Sequence, residues 1–180
     1  MKSVKKLLYL ISVLIVFMSV CSCGAEPVKT AMNYERPIIT LSRAIDAMDS
    51  ASYFRCFTDG AKQAYSESDN YNPELVKTLL PSQAADRHLF KAKIVSSKEL
   101  DEDTINNLEQ EYKDKYRKRI DISKAQQMTV EFGTIQGSNE LIDSRDLTVV
   151  KIENNWYIFG DIIESFNFGT NTGNSNKTAS

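Results

Sequence analysis

At 180 residues, 42% hydrophobic and 26% charged, the chain has the size and composition of one soluble globular domain, which argues against a polytopic membrane protein. Its formal charge is −2, and Lys2, Lys5 and Lys6 all lie in an acid-free leader. Without residues 1–22, nineteen basic residues face 24 acidic ones, a net charge of −5. A mildly acidic domain is not built to hold nucleic acid through its phosphates, so no nucleic-acid partner is expected.

The leader reads in three parts. MKSVKK is basic, LLYLISVLIVFMSV is apolar, and CSCGAEP opens a small-residue and polar stretch, the order that a secretory signal requires. The apolar run from Leu7 to Val20 is shorter than the roughly 20 residues a spanning helix needs, which favours a cleaved signal over a permanent membrane helix. At its end, Val20-Cys21-Ser22-Cys23 resembles the lipobox of bacterial lipoproteins, in which an aliphatic, a variable and a small residue precede the modified cysteine. The alternative frame before Cys21 puts branched Val20 where the small residue belongs. The resemblance implies a diacylglyceryl thioether on Cys23, cleavage just before it, and membrane lipid as a partner. It also implies a chain held at the cell membrane, facing outside the cytoplasm; two or more acyl chains make such an anchor durable.

Two other readings of the cysteines remain. A Cys-x-Cys pair is a metal-binding fragment, but no second Cys/His cluster accompanies it and His88 is the only histidine, so no metal or cofactor is expected. A disulfide from Cys21 or Cys23 to Cys56 requires that the leader be retained. Cys56, between Phe54 and Phe57 in SYFRCFTD, reads as a small buried hydrophobe.

After signal peptide 1–22, residues 23–35 form the lipidated cysteine and a polar tether, and 36–166 the domain. Pro37 suits a first helical turn, and Ile38, Leu41, Ile45 and Met48 recur on one helical face. Asp49 or Ser50 caps a second helix, ASYFRCFTDGAKQAYSE, which Gly60 weakens or divides. PELVKTLL is a short helix or turn stopped by Pro81.

From His88 the period becomes two. HLFKAKIVSSKEL alternates like a strand with one buried face. An inserted helix at 101–118 follows, with Asp101 as its N-cap and Ile105, Leu108, Tyr112 and Tyr116 along one stripe. Its basic end, KDKYRKR, reads as a solvated helix terminus. Met128, Val130 and Phe132 alternate in another strand. DLTVVKIE and WYIFGDII flank Asn154-Asn155, a two-residue hairpin link that sets Val150 and Ile152 near Trp156 and Ile158. Residues 167–180 hold too little apolar surface to offset their ordering entropy and read as a disordered tail.

This order predicts an α+β fold, with N-terminal helices packed on a curved antiparallel sheet and one inserted helix. The helices in PIITLSRAIDAMDSASYFRCF and the closing VVKIENNWYIF resemble small extracytoplasmic lipoproteins with a cone-shaped nuclear transport factor 2-like or cystatin-like domain, across roughly 35–165. The resemblance implies a space between sheet and helices, lined by Tyr53, Phe57, Phe132 and Trp156, and relatives that are binding modules or enzymes. Plain core packing is the competing reading of those aromatics. Three functions follow: a tethered binding or interaction domain for a protein or cell-wall partner, a small enzyme with a carboxylate base from Asp46, Asp49 or Asp161, and a spacer without a small-molecule site. No nucleophile elbow, phosphate loop or triad supports catalysis, and no catalytic residue is assigned.

Overall fold

The computed structural model describes residues 32–80, 89–136 and 138–170. Cys21, Cys23, His88 and the chain beyond Thr170 lie outside the described residues. Proline's missing amide proton and fixed φ suit a first helical turn. Helix α1 (Arg36–Asp46) accordingly carries Pro37 in its first turn, after a 3-10 turn over Asn33–Glu35. Ile38, Leu41 and Ile45 fall on its inward face and are fully buried. Its end is closed by Met48 at φ 53°, which lets the Asp49 N–H return to the Ala44 carbonyl at 2.8 Å and satisfies the last turn.

Asp49 then caps helix α2 (Ser50–Phe54), its Oδ1 accepting from the Ser52 N–H at 3.0 Å. The single helix expected from here to Glu67 is two helices. The chain breaks after Phe54, and Thr58 accepts from the Ala61 N–H to cap helix α3 (Asp59–Ser66). Gly60 therefore sits inside α3 and is not the break. A short helix α4 (Val76–Leu79) buries Val76 and Leu79.

The remaining elements are β1 (Lys91–Glu99), helix α5 (Glu102–Tyr116), β2 (Ile122–Gln136), β3 (Asn139–Ile152), β4 (Asn155–Phe159) and β5 (Gly169–Thr170). The strands form an antiparallel sheet in the order β1-β2-β3-β4, with β5 also pairing β3. The fold is therefore α+β, as expected.

Opposed residues in antiparallel strands share a face. Ala92, Phe132 and Asp143 are opposed in one row, Ile94, Val130 and Arg145 in the next, and Met128 opposes Leu147. This face lies beneath the N-terminal helices, where Phe132, Val130, Met128 and Val149 meet Ile38, Leu41 and Ile45 in one core. On the other face Ile122, Ala125 and Val150 form a small cluster that Ile105 and Leu108 of α5 cover, so the inserted helix packs on the side away from the others. Elsewhere that face is polar: Lys93 meets Glu131 at 3.0 Å and Thr129 donates to Asp146 at 2.7 Å.

Helix α5 reaches round to the first face through Tyr112, whose Oη accepts from the Gly60 N–H at 2.6 Å. A Cβ on Gly60 would stand 2.6 Å from that oxygen and 2.7 Å from Tyr116 Cγ, so only glycine lets α3 and α5 approach this closely.

Two boundaries differ from the sequence reading. Ile152 pairs with Asn155, so the hairpin turns at Glu153-Asn154, with the positive φ, 54°, on Glu153. Lys151 then faces Trp156 and Val149 faces Ile158, in place of the Val150 and Ile152 neighbours expected from a turn at the two asparagines. The segment 167–170, assigned to the tail from its composition, is held to the sheet. The Asn167 N–H donates to Asp143 Oδ2 at 3.1 Å, and Gly169–Thr170 pairs Leu141–Ile142. Asp143 is the reason: a buried carboxylate needs partners, and Arg145 Nε at 2.7 Å and the Asn167 amide supply them.

Candidate functional site

Three of the four aromatics read as lining a space are sealed. Tyr53, Phe57 and Phe132 are each 0% exposed. Tyr53 stands 5.4 Å from Phe57 between ring centroids, while Phe132 stacks on Phe90 and meets Phe166 at a tilt. Tyr53 Oη donates to the Ile163 carbonyl at 2.5 Å, and burial pushes its phenol well above the ordinary range. These rings fill the interior between helices and sheet.

Trp156 is placed differently. It lies on the same sheet face, at the hairpin end and the edge of the core, and is half-buried, with Tyr34 meeting it edge-on at 6.0 Å. It forms one wall of a surface cleft of about 320 Å³. The opposite wall is the start of α1, with Asn33, Arg36, Pro37 and Thr40; the ends are the turn after α2, with Arg55 and Cys56, and the hairpin, with Lys151, Asn154 and Asn155. A backbone bond also ties the hairpin to the helical layer, the Ile158 N–H donating to the Cys56 carbonyl at 2.7 Å.

The electrostatics of the cleft are one-sided. Arg36, Arg55 and Lys151 line it, and among the described residues no carboxylate does. Among the described residues, Arg36 and Lys151 make no ion pair. Arg55 donates to Ser52 Oγ at 2.5 Å and through it approaches Asp49. Asp49 is held below the usual carboxylate range chiefly by the hydrogen bonds from Ser52, with Arg55 adding to the effect. Cys56 lines the cleft while remaining 3% exposed, and burial pushes its thiol up to about 12, which removes it as a nucleophile near neutrality.

The carboxylates considered as bases all have structural partners. Asp46 accepts from the Phe90 N–H at 3.1 Å, Asp49 caps α2, and Asp161 is exposed, receiving Lys115 at 2.6 Å and Tyr116 Oη at 3.2 Å. None is a buried, unpartnered acid facing a cavity, the arrangement a raised-pKa base requires. Among the described residues no group of three or more His, Cys, Asp or Glu is placed to hold a metal.

Comparison with protein-family models, curated proteins and solved structures finds no match. The cleft is thus characterised by its own chemistry: an aromatic wall, three cations, three asparagine amides and a threonine hydroxyl. Sequence reasoning found Trp156 but missed Arg36, Arg55 and Lys151. They lie far apart in the chain, and only the pairing of β4 with β3 and the docking of residues 56–58 on β4 bring them together.

Proposed function

We propose that the protein is an extracytoplasmic binding domain, held at the cell membrane through lipid on Cys23, whose ligand enters the cleft beside Trp156. The carrying observation is that cleft: a concave site of about 320 Å³ in which a half-buried tryptophan and several polar side chains converge. Its volume lies within the range of small-ligand sites, roughly 300–1,000 Å³. The anchor is supported by the order of the leader and by VCSC at its end. Likeness to a nuclear transport factor 2-like or cystatin-like cone is supported by helices laid over one face of an antiparallel sheet. In this chain aromatic side chains fill the inside of the cone, which moves binding to its rim. The sealed interior and the occupied carboxylates weigh against the enzyme reading, and the open cleft weighs against a bare spacer.

Both halves of the proposal have direct tests. Cys23→Ala should appear in the soluble fraction or as an unprocessed precursor; processing and membrane retention like the wild type would overturn the anchor. Trp156 is the chain's only tryptophan, so its emission reports on the cleft without labelling. Titration with soluble wall fragments and phosphate esters should give a saturable change for at least one class. A flat response to all of them would overturn the binding reading.

A further inference from the structure

The cleft has a charge pattern that selects among ligands. We infer that it is an oxyanion site for a phosphoryl group, carried by a lipid headgroup or by a soluble phosphate ester. This rests on the binding-domain reading above. The chain carries 24 acids against 22 Lys and Arg, so acids outnumber bases overall. The ten described residues that line the cleft nevertheless include three cations and no acid.

The three cations come from separate elements: Arg36 from the first turn of α1, Arg55 from the turn after α2, and Lys151 from the end of β3. They therefore surround the cleft from three sides and do not form a stripe along one solvated helix. Two guanidinium forks and an ammonium suit a tetrahedral group carrying more than one negative charge better than a lone carboxylate, because the forks donate in pairs to neighbouring oxygens. Asn33, Asn154 and Asn155 add neutral amide donors at the same rim.

The cleft is larger than a bare phosphate needs, and Trp156, steadied edge-on by Tyr34, offers a flat apolar wall for the organic group attached to it. The tether points to one source. Nine residues lie between Cys23 and Asn33 on the cleft rim, a span of about 33 Å at full extension and less in practice. An anchored domain thus carries its cationic cleft within reach of the headgroup layer, where anionic phosphates are concentrated.

The test uses the full mature chain and follows Trp156 emission. One arm titrates the protein in neutral detergent with inorganic phosphate and glycerol phosphate. The other compares its reconstitution into phosphatidylcholine vesicles with and without phosphatidylglycerol. Saturation in the first arm identifies soluble phosphate; a response only to phosphatidylglycerol identifies the headgroup. In either case the double variant Arg36→Gln/Lys151→Gln should raise the half-saturation point at least tenfold, and added salt should weaken binding in the wild type. Arg36 is exposed and Lys151 half-buried, and circular dichroism checks that the variant is folded. The inference is overturned if no phosphate source gives a saturable signal, or if the double variant responds like the wild type. Neutral saccharide wall fragments complete the panel. If they bind and phosphates do not, the ligand class fails while the binding-domain reading survives; if nothing binds, both fail.

Discussion

Phe132 and Trp156 are large aromatics on the same face of one sheet, and they have opposite surroundings. Phe132 sits mid-strand, opposed to Asp143 and enclosed by Phe90 and Phe166, with no exposed surface. Trp156 sits two positions from the hairpin turn, at the edge of the core, and faces a cleft in which, among the described residues, Arg36 and Lys151 make no ion pair. The same residue class is thus sealed in packing at the centre of the sheet and left open to a cleft at its end. What separates the two is the cover supplied by other elements, because a ring gains its full burial energy only where side chains close over both faces. Stability should therefore reside in the interior and ligand response in the cleft, and perturbing one should leave the other largely untouched.

The largest effect tests that division directly. Phe132→Ala removes a fully buried ring and should cost about 3–5 kcal/mol of unfolding free energy, read from denaturant titration followed by circular dichroism. In the folded fraction the ligand response of Trp156 should keep its half-saturation point. A shift of that point as large as the stability change would merge the two regions into one.

A smaller loss is expected at Gly60, where α3 and α5 meet. Gly60→Ala places a methyl 2.6 Å from Tyr112 Oη and 2.7 Å from Tyr116 Cγ, so the helices must separate, at about 1–3 kcal/mol. The change also stretches the hydrogen bond from the Gly60 N–H to Tyr112. Because this joint lies away from the cleft residues, the Trp156 signal should again be unaffected. A neutral or stabilising result would mean that α5 sits more loosely than the Tyr112 contact indicates.

Elements were legible in the sequence wherever a residue's partner lies nearby in the chain. Asp101 before an acidic first turn, Pro37 at a helix start, and the alternation of Met128, Val130 and Phe132 all describe local geometry, and each element formed where its signal stood. The break before α3 also had a signal, Thr58 ahead of Asp59-Gly60, but the run of aromatics on either side concealed it. The hairpin moved by one residue because register answers to which strand residues face the core, so Glu153 accepted the positive φ in place of an asparagine. The hold on 167–170 was invisible because it depends on Asp143, more than 20 residues earlier. Arg36, Arg55 and Lys151 are the extreme case: no local pattern links residues that only tertiary pairing unites.

The inserted helix offers a pH-dependent version of the same contrast. Asp101 caps α5 by accepting from both Thr104 Oγ1, at 2.6 Å, and the Thr104 N–H, at 2.9 Å, and these bonds hold its carboxyl below the usual range. A depressed carboxylate contributes stability above its unfolded pKa, about 4, and loses it as pH falls through the lowered native value. Asp101→Ala should lower stability at neutral pH, while Asp101→Asn should keep most of the cap and remove this residue's share of the acid sensitivity. Thermal melts between neutrality and strongly acid pH distinguish the two. An equally acid-sensitive Asn variant would place the effect elsewhere.

The smallest perturbation falls where interior and cleft meet. Cys56 lines the cleft yet is almost fully buried, and its thiol donates to the Ser52 carbonyl at 3.3 Å. A native pKa pushed up to about 12 means that almost no thiolate exists at pH 8, whereas the unfolded chain, with a thiol pKa of about 8.5, exposes a reactive fraction. The sign is opposite to that of Asp101: stability is full below the unfolded thiol pKa and declines as pH rises above it, because the unfolded state then releases the proton first. In a Cys21→Ser/Cys23→Ser variant, which leaves Cys56 as the one thiol, iodoacetamide at pH 8 should leave Cys56 unmodified until denaturant unfolds the domain, with labelling following the global transition. Labelling well below that transition, suppressed by whichever ligand quenches or enhances Trp156, would show the cleft floor opening independently of the interior. The boundary between packing and recognition would then lie one layer deeper, at the backbone contact between Cys56 and Ile158.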